Sequence, residues 1–491
     1  MVTHQRIRDP LHNLIEFSGG HFEHTLWKVI QTQSFQRLRR IKQLGFSEYV
    51  YPGATHTRFS HSLGAYHIAK NLLRVIRERL GAPFIDVRAQ HAITAALVHD
   101  IGHGPFSHAF EDVRKKLRAD EHLGLKLTKH EDLSDEIIRK SDIREVLDAE
   151  FGKGFSDNVA DLIRAPGPQG IYGAVVSSQF DADRLDYMQR DRLMTGTQLG
   201  RVDFAWLMAN LEIGELPWGD GAKRFGTKQT FVLGAKSIHA AESYVLGLFQ
   251  LYPTIYYHKA TRGAEKLFTE LLSRIFALVL DGNYKKTHLQ ENHPLITFVK
   301  KPDVLENTLR LDDSVIMGAL PLMAEAEDLL IQNFSERLQK RLLYKCIDIR
   351  EKLFQSWIED DDDVDSTQEE TKQKIQEKYE IVEQTQKEIG QKIQEWLAQN
   401  QGKNEPTRVL IDSGKREPYK EIEEAKGPLN QIMMKTAGGK IVDINKQSPI
   451  IEAIRPFEFF RVYTDEEDST AKDFIKKTIQ EEVEKWKKAK R

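Results

Sequence analysis

The segment ALVHDIGHGPFSH, residues 96–108, sets His99 beside Asp100 at the end of an apolar helical stretch, and Gly102 and Gly104 stop that helix at once. An adjacent histidine and aspartate placed there can both point at one cation. Upstream, THTRFSHSLG (55–64) puts His61 at the start of another helix, and downstream QFDADRLDYMQRD (179–191) holds Asp183 in an acidic helical pattern. These two imidazoles and two carboxylates form a mixed donor set that suits Mn, Mg, Fe, Ni or Zn with room left for water. Such an ion lowers the pKa of bound water and polarises a phosphoryl oxygen, and hydrolysis needs both. His103, His108 and His130, with Arg58 and Arg184, are the residue types that hold phosphate oxygens and protonate a leaving oxygen. His108 and Glu111 lie three apart on a predicted helix, so the carboxylate can orient the imidazole.

Histidine usage points to the same region. Of 17 histidines, 13 lie within the first 130 residues, where even scattering would place roughly 4 or 5. His67, His91 and His122 stand outside the motifs and read as structural. Competing chemistry lacks its signatures: the chain has no G-x-x-x-x-G-K-[ST], no G-x-S-x-G and no H-E-x-x-H.

Composition sets the frame for these residues. A chain of 491 residues has length for two or three domains. With 40% hydrophobic and 30% charged residues and no apolar run of membrane-spanning length, it reads as soluble and globular. Its 71 basic and 74 acidic residues leave a net charge of -3, so a global field for nucleic acid is missing and binding to it has no support. One cysteine, Cys346, excludes an intramolecular disulfide and a cysteine-rich metal centre. The N-terminal MVTHQRIRDP has no apolar signal segment, which predicts a cytoplasmic location.

The elements that must carry the site are helical. Ser60–Leu80, Gln90–Val98, Ser177–Met194 and Ala235–Leu280 show apolar residues at three and four spacing, while Leu211–Leu233 reads as a hairpin or long loop. Glu359–Asp365, EDDDDVD, marks a solvated linker, and Ser366 with Glu369 forms a capping box. Beyond it Ile375, Val382, Ile389 and Trp396 recur every seven residues, with Tyr379 and Ile393 between them. This narrow stripe either packs on its own body or pairs with a second subunit. Val409–Ile411, Ile432–Thr436, Lys440–Ile444 and Phe457–Thr464 alternate like strands with Gly438-Gly439 as a turn, and a charged helix follows from Asp468. The expected architecture is mostly α: a catalytic helical domain over residues 1–358, the linker and long helix over 359–404, and a small α+β unit over 405–491.

The motifs together resemble the HD-domain metal-dependent phosphohydrolases. FQRLRRIKQLGFSEYVYPGATHTRFSHSLG (35–64), HDIGHGPFSH, KHE (129–131), DADRLDY with Arg190-Asp191, and YYHK (256–259) are similar, in that order, to the deoxynucleoside triphosphate triphosphohydrolases of the sterile-alpha-motif/HD type. The closing FFRVYTD fits the same family's C-terminal unit.

The resemblance implies an HD-type fold and water attack on the α-phosphorus of a deoxynucleoside triphosphate, releasing the deoxynucleoside and tripolyphosphate. His61, His99, Asp100 and Asp183 would hold the metal. His108 would act as general acid with Glu111, where the family more often has aspartate. His103, His130, Arg58, Arg184 and Tyr187 would cradle the triphosphate. Gln43 and Asp191 would bind the sugar 3'-hydroxyl, and Leu44 and Tyr256 would crowd the 2' carbon. Gln36, Arg39, Lys236, Lys259, Arg341 and Lys345 match positions that bind activator nucleotides at subunit interfaces, which implies a homo-oligomer, a tetramer in most of the family. Two other readings stay open: an HD phosphohydrolase for an alarmone, a cyclic dinucleotide or a nucleoside monophosphate, and a nucleotide or single-stranded nucleic-acid binder without turnover.

Overall fold

The computed structural model describes residues 4–18, 20–119, 129–168, 170–220, 223–358, 368–402, 405–420 and 428–490. Five helices carry the candidate site: α1 (Arg58–Leu80), α2 (Asp86–Val98), α3 (His108–Ala119), α4 (His130–Lys140) and α5 (Ala182–Thr195). Helix α1 is buried along most of its length, Arg58, His61 and Ser62 included, which is the position of a central helix. Its Leu63 and Tyr66 enter one core with Leu97, Val98 and Ile101. Its Ile68, Ala69 and Leu72 enter a second core with Ala92 and Ala96 of α2 and Leu185 and Met188 of α5. Gly81, in the left-handed region at φ +61, ends α1 by donating its N–H to the Arg77 carbonyl.

One glycine decides how closely α1 and α5 approach. A Cβ on Gly64 would lie 1.9 Å from Asp186 Oδ1 and 2.4 Å from Arg190 Nη2, so only the bare α-carbon lets the α5 polar face reach His61. Helix α5 begins later than the expected Ser177 because the Asp181 side chain accepts the Arg184 N–H and caps it there. The expected single run Ala235–Leu280 is broken in two, Ile238–Leu251 and Lys259–Leu280, with a π-type turn at Tyr252–Tyr256. Pro253 lies inside that turn and supplies no N–H to the ladder.

The hairpin expected at Leu211–Leu233 is present as Leu211–Asp220 paired antiparallel with Lys223–Leu233. Met433–Lys435 then adds in parallel to Lys223–Leu233, and Ile441–Asp443 closes the four-stranded sheet. A second sheet has Phe457–Thr464 between Lys345–Asp348 and Val409–Arg416.

This pairing divides the chain differently from three consecutive stretches. One unit comprises 1–257, 291–318 and 417–455, and the other 258–290, 319–416 and 456–491. The stretch 405–491 is therefore not one self-contained unit. Its middle strands share a sheet with the 223–233 strand, and its outer strands pair with Lys345–Asp348. In the second unit the long helix α6 (Gln368–Asn400) buries Val382, Ile389 and Ile393 against Ile475, Ile479 and Val483 of α7 (Ser469–Lys490). Of the stripe, the chain's own body takes Val382, Ile389 and Ile393, while Ile375 is 40% exposed. The Glu359–Asp365 linker and Ser366 lie outside the described residues.

Candidate active site

Four donors arrive from two helices and the end of a third. His61 sits in the first turn of α1, His99 and Asp100 follow α2, and Asp183 sits in the first turn of α5. His61 Nε2 is 2.9 Å from Asp183 Oδ1 and 3.7 Å from Asp100 Oδ2. His99 Nε2 is 3.4 Å from Asp100 Oδ1 and 3.5 Å from Asp183 Oδ1. The ligand atoms of His61, His99 and Asp183 all lie within 4.8 Å of one another.

Both imidazoles are oriented from behind. His61 Nδ1 lies 2.8 Å from Asp186 Oδ2 and His99 Nδ1 lies 2.9 Å from the Ala96 carbonyl. Both partners are acceptors, so each ring carries a proton on Nδ1 and turns Nε2 to the centre, the atom a bound cation would take. His99 Nε2 is buried and has no hydrogen-bond partner, which is the condition of a ligand atom. The arrangement fits a divalent cation.

Burial opposes charging of His61, yet its bonds to Asp183 and Asp186 outweigh it and hold its pKa up at about 10, so a cation binding there would displace the Nε2 proton that faces Asp183. Burial likewise opposes the Asp100 anion, but the Arg58 guanidinium and the neighbouring His99 and His103 pull its carboxyl well below the usual range. Arg58 donates from Nη1 to Asp100 Oδ2 (2.5 Å) and from Nε to Ser107 Oγ (2.8 Å). Its charge is thus spent first on fixing Asp100.

Beside this cluster stands a second group. The His103 and His130 rings stack at 4.2 Å, and His103 Nε2 is 3.4 Å from Asp100 Oδ1. Burial and the positive Arg58 keep His103 neutral, well below the usual imidazole range. Glu111 touches His130 Nδ1 directly and lies 3.5 Å from His108 Nδ1. The carboxylate is therefore shared, with His130 the nearer partner, and the bonds from both rings outweigh burial and hold it far below its ordinary pKa. His108 stays 63% exposed on its side chain, free to meet a substrate.

The turn that delivers His108 is strained. Phe106 and Ser107 both have positive φ, +54 and +55, which costs of order 1–3 kcal/mol each for a residue with a Cβ. Opposing that cost, the Phe106 N–H donates to Asp313 Oδ1 (2.7 Å), its ring stacks on Phe46 at 4.1 Å, and Ser107 Oγ donates to the Lys42 carbonyl. Gly102 is needed alongside, since a Cβ there would lie 2.2 Å from the His130 carbonyl oxygen.

The residues expected at the sugar also lie near one another. Asp191 binds His56 Nε2 through Oδ1 (2.7 Å) and accepts the Tyr256 hydroxyl on Oδ2 (3.0 Å). The Gln43 main-chain N–H donates to the His56 carbonyl, while Gln43 Oε1 is buried with no partner. Leu44, Tyr187 and Tyr256 pack on the same core, with the two tyrosine rings 6.1 Å apart. Among the described residues, Arg184 pairs with Asp181 at 3.9 Å.

The positions expected at activator sites are surface residues. Arg39 covers the Phe59 ring and donates to Gln36 Oε1, and Lys236, Lys259, Arg341 and Lys345 are exposed, Lys345 facing Glu466 at 3.1 Å. Gln36, Arg39 and Lys236 belong to the first unit and the other three to the second. Of the histidines read as structural, His67 stacks on His12 at 4.7 Å and His91 meets the Phe155 ring in a tilted contact at 4.5 Å. His122 lies outside the described residues.

Sequence reasoning missed Asp186, Asp9, His12, Arg190 and His56. Asp186 accepts from His61, from His12 Nε2 (2.6 Å) and from Arg190 Nε (2.8 Å), and Arg190 continues to Asp9. The available signal was Asp186 itself, three residues past Asp183 and so on its helix face.

Among the described residues no helix is long and apolar enough to cross a membrane. Residues 58–188 match the HD domain and 224–300 the HD associated region. The chain is 28% identical over 453 residues to the uncharacterized protein YwfO of Bacillus subtilis, covering 91% of this chain and 88% of that one. It is 30% identical over 322 residues to an uncharacterized protein of Mycoplasma pneumoniae, covering 63% of this chain and 71% of its relative. Against the deoxynucleoside triphosphate triphosphohydrolase SAMHD1 of Mus musculus it is 26% identical over 376 residues, 69% of this chain but only 53% of that protein. A solved phosphohydrolase from Bacteroides thetaiotaomicron has a TM-score of 0.65 at 24% identity, covering 94% of this chain and 100% of that one, and shares the fold.

Proposed function

The chain belongs to the HD-domain family, and on that premise we propose that it is a phosphohydrolase that cleaves deoxynucleoside triphosphates to deoxynucleoside and tripolyphosphate. The observation that carries the reading is the convergence of His61, His99, Asp100 and Asp183 beside the His103, His108, His130 and Glu111 group. The first four would hold a divalent ion, which when bound lowers the pKa of its water and polarises a phosphoryl oxygen.

The remaining residues divide the other tasks. Arg184, His130 and the neutral His103 would take phosphate oxygens, with Tyr187 along the chain of phosphates. Arg58 would keep Asp100 ionised and in place. Exposed His108, with Glu111 beside its Nδ1, would give a proton to the departing 5'-oxygen. Asp191, steadied by His56 and Tyr256, and Gln43 through its unpartnered Oε1 would accept the sugar 3'-hydroxyl. Leu44 and Tyr256 would leave a 2'-hydroxyl buried without a partner, a cost of about 1–3 kcal/mol against ribonucleotides.

Incubation of the metal-loaded protein with each deoxynucleotide, singly and mixed, and identification of the products tests the reaction. Tripolyphosphate is the expected product; pyrophosphate or orthophosphate as the sole product rejects it. Turnover only in mixtures would support activation through Gln36, Arg39, Lys236, Lys259, Arg341 and Lys345 in a homo-oligomer, since an activator must bind the assembled state better than the free subunit. Tyr256→Ala and Leu44→Ala should each narrow the preference for deoxyribonucleotides by roughly 5- to 150-fold, the factor equivalent to about 1–3 kcal/mol. An unchanged ratio of kcat/KM for the two sugars would place the gate elsewhere.

A further inference from the structure

Helix α3, which carries His108 and Glu111, also carries a cation that the proposed reaction does not use. Arg114 is only 8% exposed, and its Nε and Nη1 are enclosed with no hydrogen-bond partner. A guanidinium does not shed its proton inside a protein, so an unpaired one in this position calls for a counter-charge.

Among the described residues no carboxylate forms a hydrogen bond with its Nε or Nη1. Arg114 lines a cavity of about 30 Å³ together with Arg37, Gly102, Phe110, Leu133 and Leu311. Arg37 is a second buried cation there, and its three bonds go to the main-chain carbonyls of Leu311, Ile101 and His103. The carboxylates nearest Arg37 in charge, Asp312 and Asp313, are committed to Arg40 and to the N–H groups of Lys42 and Phe106. Glu111 and His130 line the cavity as well, the carboxylate in contact with His130 and 3.5 Å from His108 Nδ1.

We propose that this cavity binds one small inorganic anion of halide size, with Arg114 as its principal ligand. The volume bounds the size and the charge selects the class: a water needs roughly 10–15 Å³ of such space, so the cavity has room for one chloride-sized ion or two waters and not for a nucleotide, and the unpaired guanidinium favours the anion. Held there, the anion completes the charge balance beneath the helix that presents His108. The proposal concerns binding and does not rest on the reaction assigned above.

The test uses the metal-loaded full chain in chloride, bromide or gluconate at one ionic strength. Thermal melting in halide should exceed that in gluconate by roughly 2–5 °C. Bromide-grown crystals should give an anomalous peak at the Arg114 guanidinium. In Arg114→Met the halide increment should vanish, and the variant should fold because its change removes an unpaired buried charge. Equal melting in all three salts, or an increment that survives Arg114→Met, overturns the proposal. So does a cavity that holds water alone in the bromide crystals, or an increment produced by phosphate and by neither halide.

Discussion

Asp183→Ala and His99→Ala should each abolish hydrolysis and empty the metal site while the protein stays folded. Asp183 Oδ1 is the atom shared by the Nε2 atoms of His61 and His99, so its loss removes the bridge at the centre of the donor set. Loss of the ion forfeits several kcal/mol of transition-state stabilisation, and at 1.36 kcal/mol per tenfold the rate should fall by at least about 10³. The helix survives because Asp181, not Asp183, caps α5, and because the Asp183 side chain is 37% exposed and packs little. His99 likewise ends α2 and contributes a ring that is oriented by a carbonyl, not a core side chain. Metal analysis, a melting curve and product assay on the same preparations check this. Turnover with a full metal complement in either variant would refute the assignment of these ligands.

The donor set was legible because its residue types announce themselves locally. An adjacent histidine and aspartate before two glycines is a pattern carried by a dozen residues. The groups behind the ligands left no such trace. His12 and Asp186 are 174 residues apart, and His56 and Asp191 are 135 apart, so nothing in the local period of either segment reports the pairing. The same reason hid the division of the chain. Met433–Lys435 reads as a short strand in its own neighbourhood, yet its partner lies two hundred residues earlier in Lys223–Leu233. Where the apolar pattern is dense, by contrast, local reading suffices: the 211–233 hairpin and helix α6 both follow their periodicity. What periodicity could not give was the occupant of the α6 stripe, since a seven-residue repeat suits a second copy as well as the chain's own C-terminal helix.

Glu111 illustrates a finer limit. Its spacing from His108 predicts an orienting carboxylate, and the contact exists at 3.5 Å. His130, on a separate helix, nonetheless comes closer. A three-residue interval fixes what shares a helix face, and it says nothing of which neighbouring helix will compete for the same oxygen.

Asp186→Ala should cost the protein both stability and metal, and the two losses are separable. Asp186 is fully buried and joins His12, His61 and Arg190. Arg190, with a side chain 1% exposed, would keep Asp9 but lose its other carboxylate, and breaking a buried pair from one side costs about 3–5 kcal/mol. Asp186→Asn preserves volume and one acceptor oxygen, so it should fold with a smaller penalty while its amide no longer fixes the proton on His61 Nδ1. Partners behind a metal ligand are worth about 10- to 100-fold in affinity, so metal titration of the folded asparagine variant should show a weakening in that range. Gly64→Ala should act through the same residue, because its Cβ would collide with Asp186 Oδ1 and push the carboxylate off His61. If Asp186→Asn melts below the native protein but binds metal with undiminished affinity, Asp186 serves packing alone and His61 is oriented by something else.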